Sequence, residues 1–125
     1  MRIQCFEDVI SWQKGKELYI ELSKDFGSYR DYSFKDQLFR AALSITNNIA
    51  EGFDRSSDKE LRQFLIIARG SCAEVRSMLH IALAGKIISE QRHKELVDVT
   101  LSISKLLTAF VRTLATGDQR PATKQ

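Results

Sequence analysis

Ala41-Ala42-Leu43-Ser44-Ile45-Thr46-Asn47-Asn48-Ile49-Ala50-Glu51-Gly52 is the stretch that decides the fold class. At about 100° per residue, Ala41, Ala42, Ile45 and Ile49 fall on one side of a helix. Phe34 and Leu38 extend that stripe upstream. A second apolar strip, Phe39, Leu43, Thr46 and Ala50, runs beside it. Arg40, Ser44, Asn47, Asn48 and Glu51 form the main polar sector. A helix apolar over most of its circumference has to be covered on more than one side. In a chain of 125 residues a second subunit is a natural cover.

Outward from that stretch, residues 33–84 read as two helices joined by the polar turn Phe53-Asp54-Arg55-Ser56-Ser57. Ser33 with Asp36, and Ser57 with Glu60, match the spacing of a capping box. The serine oxygen accepts an N–H of the first turn, and the carboxylate meets the positive end of the helix dipole. The spacing predicts helices over residues 34–51 and 58–84, with Gly52 and Gly85 as their stops. On the second of these, Phe64, Ala68, Ser71, Val75, Met78, Leu79 and Ala82 make the expected core stripe. Leu65 and Cys72 fall outside its centre.

A first helix is expected over residues 8–25, capped by Asp8 and stapled by Phe6, with Trp12, Gly15, Tyr19, Leu22 and Phe26 inward. Trp12 and Tyr19 at that spacing are core residues before they are a stacking platform for bases. Tyr29 and Tyr32 stand in the following loop, as exposed contacts or as a cover for the end of the core. A fourth helix is expected from the Ser89 cap to residue 115, with Leu96, Val99, Ile103, Leu106, Leu107, Phe110 and Leu114 inward. Four amphipathic helices with short links make an all-α, antiparallel up-and-down four-helix bundle. The expected organisation is one bundle domain over residues 1–115 and a disordered polar tail over residues 116–125. One proline and six glycines fit few turns.

Arginines recur every seven residues at Arg55, Arg62, Arg69 and Arg76. A seven-residue step drifts only about 20° on a helix. Arg62, Arg69 and Arg76 therefore form one line away from the core stripe, with Arg55 in the turn before it and Lys59 to one side. This is either a track for a phosphate backbone or a solvated face with ion pairs. The net charge of +3 permits RNA or DNA as partner without requiring it.

The sequence holds no catalytic constellation, and no enzyme activity, metal or cofactor is expected. His80 and His93 are the only histidines, and neither has a second histidine or a cysteine three or four residues further on. Glu90-Gln91-Arg92-His93 matches one half-site of a carboxylate-bridged metal bundle, but such sites need the motif twice. Asn47, Asn48 and Glu51 are better explained as helix-end and interhelical hydrogen-bonding groups. Cys5 and Cys72 are not a disulfide framework, which points to a reducing compartment. The N-terminus has no signal-peptide pattern and the chain no run of about 18 apolar residues. The cytoplasm is the expected location, with no membrane contact.

The motifs Trp12-Gln13-Lys14, Gln37 through Ile45, Asn48-Ile49-Ala50-Glu51-Gly52-Phe53, Lys59-Glu60 and Phe64-Leu65-Ile66-Ile67-Ala68-Arg69-Gly70-Ser71 carry a resemblance. They are similar to the four-helix bundle proteins encoded in intervening sequences of bacterial 23S ribosomal RNA genes. The family often has Ser-Ile-Pro-Ser-Asn where this chain has Ser44-Ile45-Thr46-Asn47-Asn48, so its second helix should lack a kink. The resemblance implies a bundle assembled as a homopentameric ring. More distantly, the chain resembles the accessory protein of diversity-generating retroelements, a basic pentamer that binds nucleic acid and a reverse transcriptase. By that analogy Arg55, Lys59, Arg62, Arg69 and Arg76 are candidate nucleic-acid contacts. A structural or protein-interaction scaffold with no nucleic-acid role is the alternative.

Overall fold

Side-chain oxygens open three of the four helices. The computed structural model describes residues 5–114, so the tail expected over residues 116–125 lies outside the described residues. A short 3-10 turn, Phe6–Asp8, precedes α1 (Ile10–Phe26). Then come α2 (Tyr32–Phe53), α3 (Asp58–Ala84) and α4 (Glu90–Thr113). Asp31 Oδ1 accepts from Phe34 N at 3.1 Å, Ser57 Oγ from Glu60 N at 3.2 Å, and Ser89 Oγ from Arg92 N at 3.1 Å. The Ser57 and Ser89 caps are the expected ones. Ser33 is not the cap of α2; Asp31 takes its place because the helix starts two residues earlier. Asp8 does not cap α1 either, since it is spent in the 3-10 turn, and Val9 stands at that position without a side-chain bond.

Each helix packs against its neighbour in sequence, and α4 closes back onto α1, so the four stand at the corners of a square. Among the described residues there is no strand. The core is built from Leu18, Leu22 and Phe26 on α1, Leu38, Ala42, Ile45 and Ile49 on α2, Leu61, Leu65, Cys72 and Leu79 on α3, and Leu96, Ile103 and Leu107 on α4. Two stripes are therefore rotated from their expected centres. On α1 the buried line is Ser11, Gly15, Leu18, Leu22 and Phe26, with Trp12 and Tyr19 half-buried at its flank. On α3 Leu65 and Cys72 are fully buried, while Phe64, Ser71 and Met78 lie at the margin. Burial pushes the Cys72 thiol up to about 11, and its Sγ donates to Thr100 O at 3.1 Å. Tyr29 covers the end of the core, edge-on to Phe26 and Phe34, whereas Tyr32 is exposed under the Lys35 ammonium.

Close approach of the helices is set by small residues. Gly52 does not end α2 but lies buried inside it. A Cβ there would stand 2.9 Å from Leu61 Cδ1 and 2.9 Å from Phe64 Cβ. Gly15 does the same for α1 against α2, where a Cβ would meet Thr46 Cγ2 at 2.9 Å. α2 runs unbroken through Thr46, as the missing proline predicts. Its hydroxyl donates to Leu43 O at 3.0 Å.

One charged cluster ties α4 to α1. Arg92 Nη2 lies 2.6 Å from Asp25 Oδ2 and 3.0 Å from Glu21 Oε1, and Nη1 lies 2.9 Å from Glu95 Oε1. The Asp25 carboxylate above all, with Glu95 and Glu21, holds the Arg92 guanidinium ever more firmly charged. Glu21 is held below the usual carboxylate range by Lys24 and then Arg92, and Glu95 by Gln91 and then Arg92.

Two predictions follow from this geometry. Gly70 has nothing within 4 Å of its would-be Cβ. Gly70→Ala should then stabilise by about 1 kcal/mol through helix propensity alone. Gly52→Ala gains the same propensity but overpacks Leu61 and Phe64 at a cost of about 1–3 kcal/mol, and should be net destabilising. Urea unfolding of both variants checks the opposite signs. The second prediction concerns pH. Depressed acidic pKa values give stability that is present above the unfolded value, about 4.3 for Glu, and is lost as pH falls through the folded value. Arg92→Gln should lower the melting temperature at pH 7, and the gap to the unsubstituted chain should narrow between pH 4.5 and pH 3.

Candidate nucleic-acid interface

The antiparallel pairing of α3 and α4 assembles a basic face that neither helix has alone. Arg62, Arg69 and Arg76 are half-buried along the α4-facing edge of α3. The register is fixed by Arg69 Nη1, which donates to Thr108 Oγ1 at 3.3 Å. Lys105 and Arg112 lie three residues before and four after Thr108, so both share its side of α4, and both are exposed. From residue 61 to residue 73, α3 carries no Asp or Glu, and neither does α4 from residue 99 to residue 113. Among the described residues, none of the three arginines forms an ion pair. Arg62 Nε is buried without a hydrogen-bond acceptor. The nearest acid on α4, Asp98, is neutralised by Lys94 at 3.1 Å, and Glu74 of α3 accepts from Gln37 of α2, on the opposite side.

The other two expected site residues are placed differently. Arg55 lies 4.8 Å over the Phe64 ring and 3.8 Å from Glu51. Phe64 is the residue that Gly52 of α2 approaches, so Arg55 stands on the α2 side of α3 and does not prolong the arginine line. Lys59 is exposed in the first turn of α3, about 60° around the helix from Arg62. Lys105 and Arg112 are the members that the arginine period does not reveal. Their signal in the sequence is the acid-free run of α4, which gains meaning only once the register pairs it with Arg69.

The polar cluster of α2 is structural. Asn48 Nδ2 donates to Ser44 O at 2.8 Å and to Ser44 Oγ at 2.9 Å, and Ser44 Oγ lies 2.8 Å from Ser71 Oγ on α3. Asn47 is exposed, and Glu51 lies 3.8 Å from Arg55 Nη2, apart from the Ser44–Asn48–Ser71 bonding. Across the molecule, α1 and α2 flank an apolar groove of about 340 Å³, lined among others by Trp12, Tyr19, Ile20, Leu43 and Ala50. Ile20 is 51% exposed and Leu43 43%, high values for aliphatic side chains that sit side by side. Glu90 is exposed, and among the described residues no group of three or more His, Cys, Asp or Glu side chains converges on a metal-sized point.

The family model for 23S rRNA-intervening sequence proteins matches residues 7–109. The chain belongs to that family. The matched span takes in all of α1, α2 and α3 and most of α4, including Arg62, Arg69, Arg76 and Lys105 and excluding Arg112. A similar solved structure is a protein of unknown function from the S23 ribosomal protein family of Bacteroides thetaiotaomicron VPI-5482. It is 21% identical, with a TM-score of 0.76, over 82% of this chain and 98% of that one. At that identity the likeness shows the shared four-helix fold. No curated protein matches this chain. Among the described residues of this family member, no helix is long and apolar enough to cross a membrane.

Proposed function

We propose that this member of the intervening-sequence family is a non-catalytic cytoplasmic protein that assembles into a ring, a homopentamer, and binds RNA or DNA through the α3–α4 face. The observation that carries the nucleic-acid reading is the pairing of two acid-free helical runs around Arg69 and Thr108. Among the described residues, none of Arg62, Arg69, Arg76, Lys105 and Arg112 forms an ion pair, and no Asp or Glu stands between residues 61 and 73 of α3 or between residues 99 and 113 of α4. Arginine forks suit phosphate oxygens, and cations spaced along a groove track a backbone without reading bases. The family name connects these proteins with ribosomal RNA genes, which makes RNA the first ligand to try. The retroelement resemblance adds a reverse transcriptase as a candidate protein partner.

Self-association is supported by the α1–α2 groove and by Ile67 and Ile81, exposed on the outer side of α3. An apolar groove on one face and aliphatic side chains on a different helix suit a head-to-tail contact, the kind that closes a ring. The same surface favours the second reading, a protein-interaction scaffold with no nucleic-acid role.

Light scattering should give a mass several times the 14.3 kDa of one chain. Leu43→Asp, which puts a charge in the groove, should lower that mass while the chain stays helical by circular dichroism. A monomer at micromolar concentration in the unsubstituted protein overturns the ring. For the nucleic-acid arm, Arg62, Arg69 and Arg76 are changed together to Gln. Affinity for an RNA duplex should fall, and the slope of log K against log salt should flatten by about 2–3 as fewer counterions are released. An intact oligomer that binds RNA with an unchanged slope removes the phosphate role. A lower mass with unchanged affinity per assembled ring assigns the arginines to the subunit contact.

A further inference from the structure

The two histidines of the chain lie thirteen residues apart, in different helices, yet the α3–α4 hairpin brings them together. His80 stands on the last turns of α3 and His93 in the first turn of α4. The connection between them turns tightly: Gly85 N donates to Ile81 O at 2.9 Å, and Lys86 takes a left-handed φ of 60°. His80 Nδ1 then lies 2.9 Å from His93 Nε2, with the ring centres 5.0 Å apart and the planes inclined by 51°. The two ring nitrogens therefore lie within reach of one small ion. His80 is exposed, so water reaches it.

A hydrogen bond between two wet imidazoles gains little over bonds to water, so stability does not account for the pairing. Coordination does. A first-row ion held at about 2.0–2.1 Å from each nitrogen would subtend roughly a right angle at this separation. A right angle is the cis angle of a tetragonal site, and imidazole pairs in such sites suit Cu(II) and Ni(II). A tetrahedral zinc site would need the nitrogens a few tenths of an ångström further apart.

We propose that His80 and His93 form an interhelical chelate for a divalent transition-metal ion, Cu(II) or Ni(II) ahead of Zn(II), with water in the remaining positions. The bound ion clamps the two helices together at the turn end of the α3–α4 hairpin. It also sets positive charge one helical turn beyond Arg76, at the border of the basic face. The site is independent of the nucleic-acid reading, since it needs only the hairpin geometry.

The test uses the full chain without an affinity tag. Cu(II) is titrated at pH 7.5 and followed by its visible absorption and by electron paramagnetic resonance. Saturation is expected near one ion per chain, with two imidazole nitrogens in the equatorial pattern. Ni(II) at about one hundred times its dissociation constant should raise the melting temperature by about 10 °C, and chelator should reverse it. His80→Ala and His93→Gln should each abolish both effects while leaving the metal-free melting temperature within about 2 °C. Two outcomes overturn the proposal: no stabilisation of the unsubstituted chain, or stabilisation and a nitrogen pattern that survive in both variants. The second would assign the ion elsewhere on the chain.

Discussion

The spacing between α2 and α3 is the constraint on which the bundle rests. Gly52 lets Leu61 and Phe64 approach the α2 backbone, and the Ser44–Ser71 contact bridges the same pair of helices further along. Asn48 buttresses Ser44 from its own helix. These are short side chains, and a neutral hydrogen-bonded pair at a helix crossing is worth only about 1 kcal/mol. Their larger effect is steric: they set how deep Leu38, Ile45, Leu65 and Cys72 can sit. At that depth the remaining core closes around them.

The far side is fastened by different chemistry. α1 and α4 meet through Arg92 and three carboxylates, where α2 and α3 meet through glycine and serine. Arg92 is also the residue whose backbone N–H the Ser89 cap accepts, so the start of α4 and its attachment to α1 are one structure. The α3–α4 turn delivers Arg92 to Asp25, and it places His93 against His80 by the same geometry. A side-chain pairing with no evident stabilising role is thus a consequence of a contact that has one.

How much of this was legible in the sequence depended on range. Helix number, the Ser57 and Ser89 caps and the bounds of α3 are local and were readable. The cap of α2 was misplaced because Ser33 and Asp31 both present a suitable oxygen, and the choice falls to where the aromatic end of the core, Phe26, Tyr29 and Phe34, lets the helix begin. The core stripes of α1 and α3 were rotated for a more general reason. A helix apolar on two sides has a hydrophobic direction that averages core and second surface, so Trp12, Tyr19 and Phe64 drew the expected centre toward the flank. Leu65 and Cys72 then looked peripheral. In the basic face the arginine period was local and visible; the contribution of Lys105 and Arg112, like the meeting of His80 and His93, depends on register between helices.

Segregation of charge matters more here than its sum. A net charge of +3 looks too small for a nucleic-acid surface when it is spread evenly over a sphere. In this bundle the acids are drawn elsewhere: Asp25, Glu21 and Glu95 surround Arg92, Glu74 faces Gln37, and Asp98 is matched by Lys94. What is left among the described residues is cation without an ion-pair partner: Arg62, Arg69 and Arg76 on α3, half-buried on apolar stems where salt screens them less than at a fully exposed site, and the exposed Lys105 and Arg112 on α4. Ring closure, as proposed, would repeat that strip around an axis at fixed spacing. Each strip is a weak site, but strips on one rigid body engage a long polyanion together, and the second and later contacts are intramolecular. A mildly basic chain can in that way present a strongly basic surface, provided that the apolar groove of α1 and α2, and not the arginine line, is what holds the copies together.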